Sequence, residues 1–417
     1  MTGSPPKSPS SSSRLVSLDV YRGLIMVTLA FNGFGLARTA SLHLAENLDS
    51  WFWSFIHYQT SHVEWLGCSY WDLIQPSFMF MVGMSMAYSY VRRKREGQSR
   101  QRMLGHAISR SLILIFLGIF LTSNGPLTRW WMTNVLTQMG LGYTFLFLLW
   151  GRTPKIQSLV AGAVLVFTWL IYVFYLGSGL DIEKGAPEVN VSADWSQEYL
   201  QGIDPSWHKN ANAGHAFDTW FLNLMPESVP FSGDDSSQVR KPFTFNPGGY
   251  QTLNFLPSLA TMIFGLMCGE LLRSKRTDSQ KLNLLLLAGF GGLVLGWLLG
   301  VSGICPIVKR IWTPSWTLYS TGWCCLILAA LYWIVDIKQK QKWTFPLVVV
   351  GMNSIAIYVM GMLLRPWVAS RLEIHLGEGV FLLGGAHYQP LFQATLVGLC
   401  LWTLCWWMYR QKIFIRI

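Results

Sequence analysis

Stretches of roughly 20 apolar residues, separated by short polar segments, recur along nearly the whole chain, and each has the length an α-helix needs to cross ~30 Å of hydrocarbon. Ten such stretches fall at approximately 16–37, 71–91, 108–123, 132–150, 156–177, 253–272, 282–303, 315–335, 345–367 and 390–409. The third is short, and the eighth opens after Pro314. This pattern predicts an all-α polytopic membrane protein of about ten transmembrane helices. Two longer intervals, 38–70 and 178–252, fall on one side of that map, and the Trp, His, Asn and Asp content of the second predicts a folded cap. Residues 1–13, a Ser/Pro tail without an apolar face, are expected to be disordered, and 14–417 to form one transmembrane domain.

Composition agrees with the periodicity. Of 417 residues, 51% are hydrophobic and only 13% charged, which lies outside the balance of soluble domains. The net charge of +11 is concentrated in the segments "VRRKREGQSRQR", "GRTPK", "RSKR", "DIKQKQK" and "YRQKIFIRI", which fall on alternate intervals. Lys and Arg near span ends are retained on the cytoplasmic side, so both termini are expected inside and 178–252 outside. The charge is thus a topology and membrane-surface signal, and nucleic acid is not an expected partner. The tail is not a signal peptide, which makes a bacterial inner membrane the expected location. Seven cysteines include no CxxC; Cys68 and Cys305 fall on the same expected outer side, and their pairing is open at this level.

Candidate chemistry gathers in "SHVEWLGCSYWDLIQPSFMFMVGMSMAYSYVRRKR", residues 61–95, and in the first span. A charged, titratable or amide side chain at membrane depth is costly unless it pairs or faces water, so each one is a functional candidate. These are Asp19 and Arg22, Asn32 and Asp72, with His62 just outside the second span. Asp19 and Arg22 share a helix face and also suit a simple ion pair. His62 can take a proton from an attacking amine or hydroxyl near neutral pH, or accept an acyl group itself. Asp72 suits either orienting His62 or capping the second span. Asn353, in "GMNSIAIY", suits pocket lining or a bond between helices. The "HVE" at 62–64 lacks any following P-C-x-x-C, so no metal is expected. Neither G-x-S-x-G nor a Walker motif occurs.

"RLVSLDVYRGLIMVTLAFNGFG" followed by "HVEWLGCSYWDLIQPSFMFMVGMSMAYS" resembles the opening of the heparan-α-glucosaminide N-acetyltransferase family, with its S-x-D-x-x-R-G span and H-x-x-W-x-G-x-x-x-x-D-L-x-x-P segment. The resemblance continues through "VLTQMGLGYTFLF", "NPGGYQTLNFLPSLATMIFGLMCGELLR", "KRIWTPSWTLYSTGWCCLILAALYWIVD" and "VVGMNSIAIYV". It implies a transmembrane acetyltransferase that uses acetyl-CoA to acetylate a glucosamine-type sugar across the membrane, with His62 as catalytic histidine and Asn32 as its partner. Asp72 would support His62, while Asp19, Arg22 and Asn353 would serve donor or substrate binding. The implied partners are a small acyl donor, a sugar or glycan acceptor and the bilayer, with a homodimer admitted. Two departures stand out: an expanded interval between Asn32 and His62, and Gln138 where relatives carry arginine. O-acetylation of an envelope polysaccharide, and a transporter of glycan or lipid-linked sugar, are the rival readings. The sequence shows no similarity between its two halves, which weighs against a transporter built on inverted repeats.

Overall fold

The computed structural model describes residues 15–124, 128–177, 179–225 and 242–415. The expected tail over 1–13 lies outside them. Among the described residues fifteen α-helices carry the fold. They are α1 Val16–Ala30, α2 Leu36–Glu46, α3 Trp51–Thr60, α4 Ile74–Arg95, α5 Arg100–Thr122, α6 Val135–Leu149, α7 Pro154–Val173 and α8 Ala193–Tyr199, then α9 Ala213–Leu222, α10 Phe255–Arg273, α11 Asp278–Val301, α12 Pro314–Leu331, α13 Phe345–Gly351, α14 Ser354–Leu376 and α15 Gln389–Arg410. No strand occurs among the described residues, only two isolated bridges.

Helix starts follow local chemistry. Ser99 and Thr153 accept the backbone N–H groups of Arg102 and Ile156, and Pro154 occupies the first helical position. Thr277 and Gln280 satisfy each other's backbone N–H in a capping box that opens α11.

Among the described residues seven helical segments are long and apolar enough to cross a membrane, and the pair Val16–Ala30 and Asn32–Glu46, bent by 46°, makes an eighth if taken as one broken span. Helices occupy all ten expected positions, yet two of them are shorter or more polar than the other spanning helices, each for a physical reason. Helix α6 has only 15 residues. Helix α4 is long enough, at 22 residues, but mixes Gln75, Ser77, Ser85 and Ser89 among its apolar positions and ends in Arg92–Arg95. It can do so because it runs through the interior of the bundle, where Ser77 is fully buried and bonds Tyr21 of α1, and needs little lipid-compatible surface. A side chain at Gly83 of α4 would collide with the backbone of Met262, and one at Gly265 of α10 with that of Phe80, so the two helices pack backbone against backbone. Within its spanning stretch α10 is 67% buried, whereas α11 is 17% buried and turns Leu287, Phe290, Trp297 and Leu298 outward.

The interval 38–70 is largely helical. Helices α2 and α3 form a hairpin whose aromatic residues Trp51, Phe52, Phe55 and Tyr58 are exposed, as suits a membrane–water interface. Within the interval 178–252 the described residues 179–225 and 242–252 form a cap bearing α8 and α9. Trp207 of the cap stacks on Tyr172 of α7 with ring centroids 5.2 Å apart, and its carbonyl accepts the indole N–H of Trp65 at 3.2 Å. His208 ties the cap internally: its Nδ1 accepts Leu180 N–H and its Nε2 donates to Ile203 O. Cys68 and Cys305, whose pairing the sequence left open, are both free thiols.

Candidate active site

At the N-terminal end of α4 the segment 61–70 is pinned against residues 305–313. Leu66 bridges Val308, and Gly67 N–H donates to Ile307 O at 3.0 Å. The second segment is itself held tight, because Thr313 both caps α12 and bonds Val308 N–H and Pro306 O, with Trp312 in the left-handed region at φ 48°. These loops bring together side chains far apart in sequence.

Asp72, fully buried, uses its two carboxylate oxygens differently. Oδ1 lies 2.7 Å from His62 Nδ1, whereas Oδ2 accepts Ser69 Oγ–H, Ser69 N–H and Val63 N–H at 3.0, 3.2 and 3.3 Å. Of the two roles open to Asp72 from sequence, the contact of Oδ1 with His62 matches the first, while Oδ2 holds the approach loop and no side-chain bond caps the start of α4. Lys309, 4% exposed, places Nζ 3.5 Å from Asp72 Oδ1, 3.1 Å from His62 Nδ1 and 3.2 Å from Tyr250 Oη. A carboxylate oxygen 2.7 Å away requires a proton on Nδ1, and an ammonium cannot donate to a protonated nitrogen, so Lys309 acts on the carboxylate. His62 Nε2 is then the basic nitrogen. No hydrogen bond among the described residues engages it, and the side chain is 39% exposed. Burial, reinforced by the charges of Lys309 and Arg310, holds the imidazole below its ordinary pKa of 6.5 against the opposing pull of Asp72.

Arg310 reinforces the frame by donating to Val63 O and Gly248 O and by pairing with Glu64 at 3.6 Å. Trp195 of the cap donates its indole N–H to Glu64, and Lys209 lies over the Trp195 ring at 4.6 Å. Sequence reasoning did not nominate Lys309 or Tyr250. The available signal was the pair Lys309–Arg310 in "PIVKRIW", two adjacent cations in an interval that the expected topology assigns to the cation-poor side.

Asn32 sits in a left-handed turn between α1 and α2, where Asn32, Gly33, Phe34 and Gly35 all have positive φ. No hydrogen bond joins it to His62 among the described residues. The connection runs through Trp71: a Cβ on Gly33 would lie 3.0 Å from the Trp71 ring, and that ring is centred 6.2 Å from the imidazole.

Asp19 and Arg22 lie toward the opposite end of the bundle. They pair at 3.6 Å, and Arg22 also bonds Ser85 of α4. Both line a cavity of about 1050 Å³ bordered by Arg92, Arg93, Arg95, Arg110, Arg273 and Lys281, against the carboxylates of Asp19, Asp278 and Asp336. Along α4 the lining extends from Arg95 up to Phe78, about one turn below the start of the helix. Asn353 is diverted from that cavity. Its Nδ2 donates to Ile413 O at 3.0 Å and its Oδ1 accepts Ile415 N–H at 3.1 Å, which docks the segment after α15 into the break between α13 and α14. Gln138 is likewise spent on structure, with Nε2 facing Met132 O, Gln251 O and Thr252 O. Among the described residues no group of three or more His, Cys, Asp or Glu is placed to hold a metal ion.

These features define an integral, multi-pass helical membrane protein with a satisfied polar centre at one end of its bundle and a basic cavity at the other. Its sequence is similar to heparan-alpha-glucosaminide N-acetyltransferase from Mus musculus, 23% identical over 98% of this chain, and from Homo sapiens, 24% identical over 97%. The relationship is distant. The chain spans about three-fifths of the length of these relatives, 61% and 60%. No protein-family model matches the chain.

Proposed function

We propose that the protein is a transmembrane acetyltransferase that takes acetyl-CoA from the face bearing the basic cavity and acetylates the amine of a glucosamine-type sugar at His62. The observation that carries this reading is that the cavity and the His62–Asp72–Lys309 cluster lie at two ends of one helix, α4, about 33 Å long. The seven cations lining the cavity, Arg22 among them, suit the anionic phosphates of the donor. Its upper end at Phe78 lets a thioester approach the His62 end from within the bundle. The inside-positive distribution of Lys and Arg supports a cytoplasmic cavity and an extracytoplasmic His62.

In the reaction the amine lone pair attacks the thioester carbonyl while His62 Nε2 takes the amine proton. Asp72, bonded to Nδ1–H, keeps that tautomer and stabilises the imidazolium, as in a triad. The Asn32 Nδ2–H group donates to the carbonyl oxygen as it becomes an oxyanion. The C–S bond then breaks, and His62 returns the proton to the departing thiolate. The similarity to the mouse and human N-acetyltransferases supports the amine as acceptor and acetyl as the group moved.

Purified protein in lipid nanodiscs, incubated with radiolabelled acetyl-CoA and a panel of amino sugars, tests the reading directly. Label is expected on glucosamine-type amines and not on sugars bearing hydroxyls alone. Transfer to hydroxyls only would establish O-acetylation instead, and no transfer to any acceptor would overturn the proposal.

A further inference from the structure

Arg365 lies in α14, one residue ahead of Pro366, at the level of the α1 C-terminus. Its guanidinium makes no ion pair among the described residues. Nη2 faces Leu29 O at 2.8 Å and Ala30 O at 3.5 Å, Nη1 donates to Asn32 Oδ1 at 3.4 Å, and Nε is buried without a partner. A cation at this depth is expensive, and two carbonyls at a helix end need only a neutral donor. The reach to Asn32 is what a neutral cap would not supply.

A guanidinium only donates, so the Asn32 atom that faces it is the carbonyl oxygen. That contact fixes the orientation of the carboxamide: Oδ1 is held by Arg365, and Nδ2–H2, which no described residue engages, is left to donate elsewhere. A positive charge on Oδ1 also draws electron density from the amide and strengthens Nδ2–H as a donor. Arg365 further holds the last carbonyls of α1, immediately before the left-handed turn that carries Asn32. We infer that Arg365 is a positioning residue of the acyl-transfer site, locking the Asn32 carboxamide with its N–H group turned toward the acyl oxygen and its carbonyl turned away. The inference rests on the acetyl-transfer reading given under Proposed function. An unrestrained asparagine would spend part of its time flipped, with a lone pair facing the developing oxyanion.

The test is a double-mutant cycle of Arg365→Met and Asn32→Ala, with Arg365→Lys as a second variant that keeps the charge beside the α1 carbonyls. Each is assayed for kcat, for the acetyl-CoA KM, and for thermal stability in detergent. Arg365→Met is expected to lower kcat about ten-fold with donor KM unchanged, because only one oxyanion donor is misaimed. Arg365→Lys, a point donor that cannot grip both Leu29 O and Asn32 Oδ1, is expected to lose about three-fold with stability retained. In the Asn32→Ala background neither substitution should reduce kcat further. The inference is overturned if both Arg365 variants turn over normally, or if either multiplies its full loss onto that of Asn32→Ala, which would mark a role in helix packing alone. Should Arg365→Met fail to fold, the Lys variant decides between the same two outcomes. His62→Ala separates this inference from the reading beneath it: normal transfer by His62→Ala sinks the reading, while an inactive His62→Ala beside a normal Arg365→Met sinks only the role of Arg365.

Discussion

The two ends of α4 solve opposite problems. At the Asp72 end the carboxylate is fully buried and has donors on both oxygens, two loops are pinned to each other, and one nitrogen, His62 Nε2, is left without a bond among the described residues. At the Arg95 end the side chains surround about 1050 Å³ of space, and cations outnumber carboxylates along the wall. A satisfied network fixes geometry, which suits a group that must meet a reacting atom within a few tenths of an ångström. A roomy basic cavity suits a large anionic ligand whose affinity comes from charge and area. On the proposed function, chemistry belongs to the first end and donor recognition to the second, and substitutions at the two ends should change different kinetic constants.

The largest effect is expected at the reacting nitrogen. His62→Ala should reduce acetyl transfer by at least ~10²-fold at saturating acetyl-CoA. Stability should change little, because the side chain is 39% exposed and lies in a loop. A donor-induced thermal shift of normal size in the variant would show that the cavity still binds. Near-normal transfer by His62→Ala would remove the mechanism.

Asp72→Asn should affect both rate and stability, which distinguishes it from the histidine. The amide retains an acceptor but loses the charge that organises Ser69, Val63 and Lys309, so a loss of about 1–3 kcal/mol in stability is expected alongside a ~10-fold or greater fall in kcat. Denaturation monitored alongside kinetics checks the pair of outcomes. A change in rate without one in stability would mean that the carboxylate does not hold the loop.

What the sequence disclosed about these ends, and what it withheld, follows from the range of each signal. Apolar runs are local, and every expected span position is helical. His62 and Asp72 lie ten residues apart on one loop and helix start, within reach of sequence reasoning. Lys309 joins them, 247 residues on from His62, through a bridge between two loops, and no local pattern encodes such a pairing. The stretch "FNGFG" was read as part of one span, 16–37, so neither the bend after α1 nor the meeting of Asn32 with Arg365, 333 residues on, was foreseen. Asn353 was singled out as a buried amide, correctly as to burial, yet its bonds go to the backbone of 413–415, whose position depends on the whole of α15. Helix α4 was legible as a helix, and its polar positions make sense only once its central place in the bundle is known.

At the cavity end, Arg92→Ala with Arg93→Ala should raise the acetyl-CoA KM about ten-fold and leave kcat nearly unchanged, since these side chains line the wall far from His62. The KM of the wild type should rise with salt, and that dependence should weaken in the double variant. A fall in kcat with unaltered KM would place these arginines in the chemistry and erase the contrast between the two ends.

The smallest effect is a displacement of the pH profile, and it separates the neighbours of His62 by sign. A general base works only when neutral, so the contribution of His62 to the profile is flat above its pKa and falls as pH drops through it. Burial, Lys309 and Arg310 hold that pKa below 6.5, and the bond to Asp72 opposes them, so the acid limb of the wild type should lie below pH 6.5. Lys309→Met removes a positive charge 3.1 Å from Nδ1 and should move the limb to higher pH, by no more than about one unit, with the plateau rate less affected. Asp72→Asn removes the negative charge and should move it the other way. Both variants are compared with wild type using one acceptor, so the titration of the acceptor amine is common to all three curves. Lys309→Met with an unmoved limb would show that the lysine supports the loops and leaves the proton affinity of His62 alone; limbs moving in the same direction for both substitutions would mean that the titrating group is not His62.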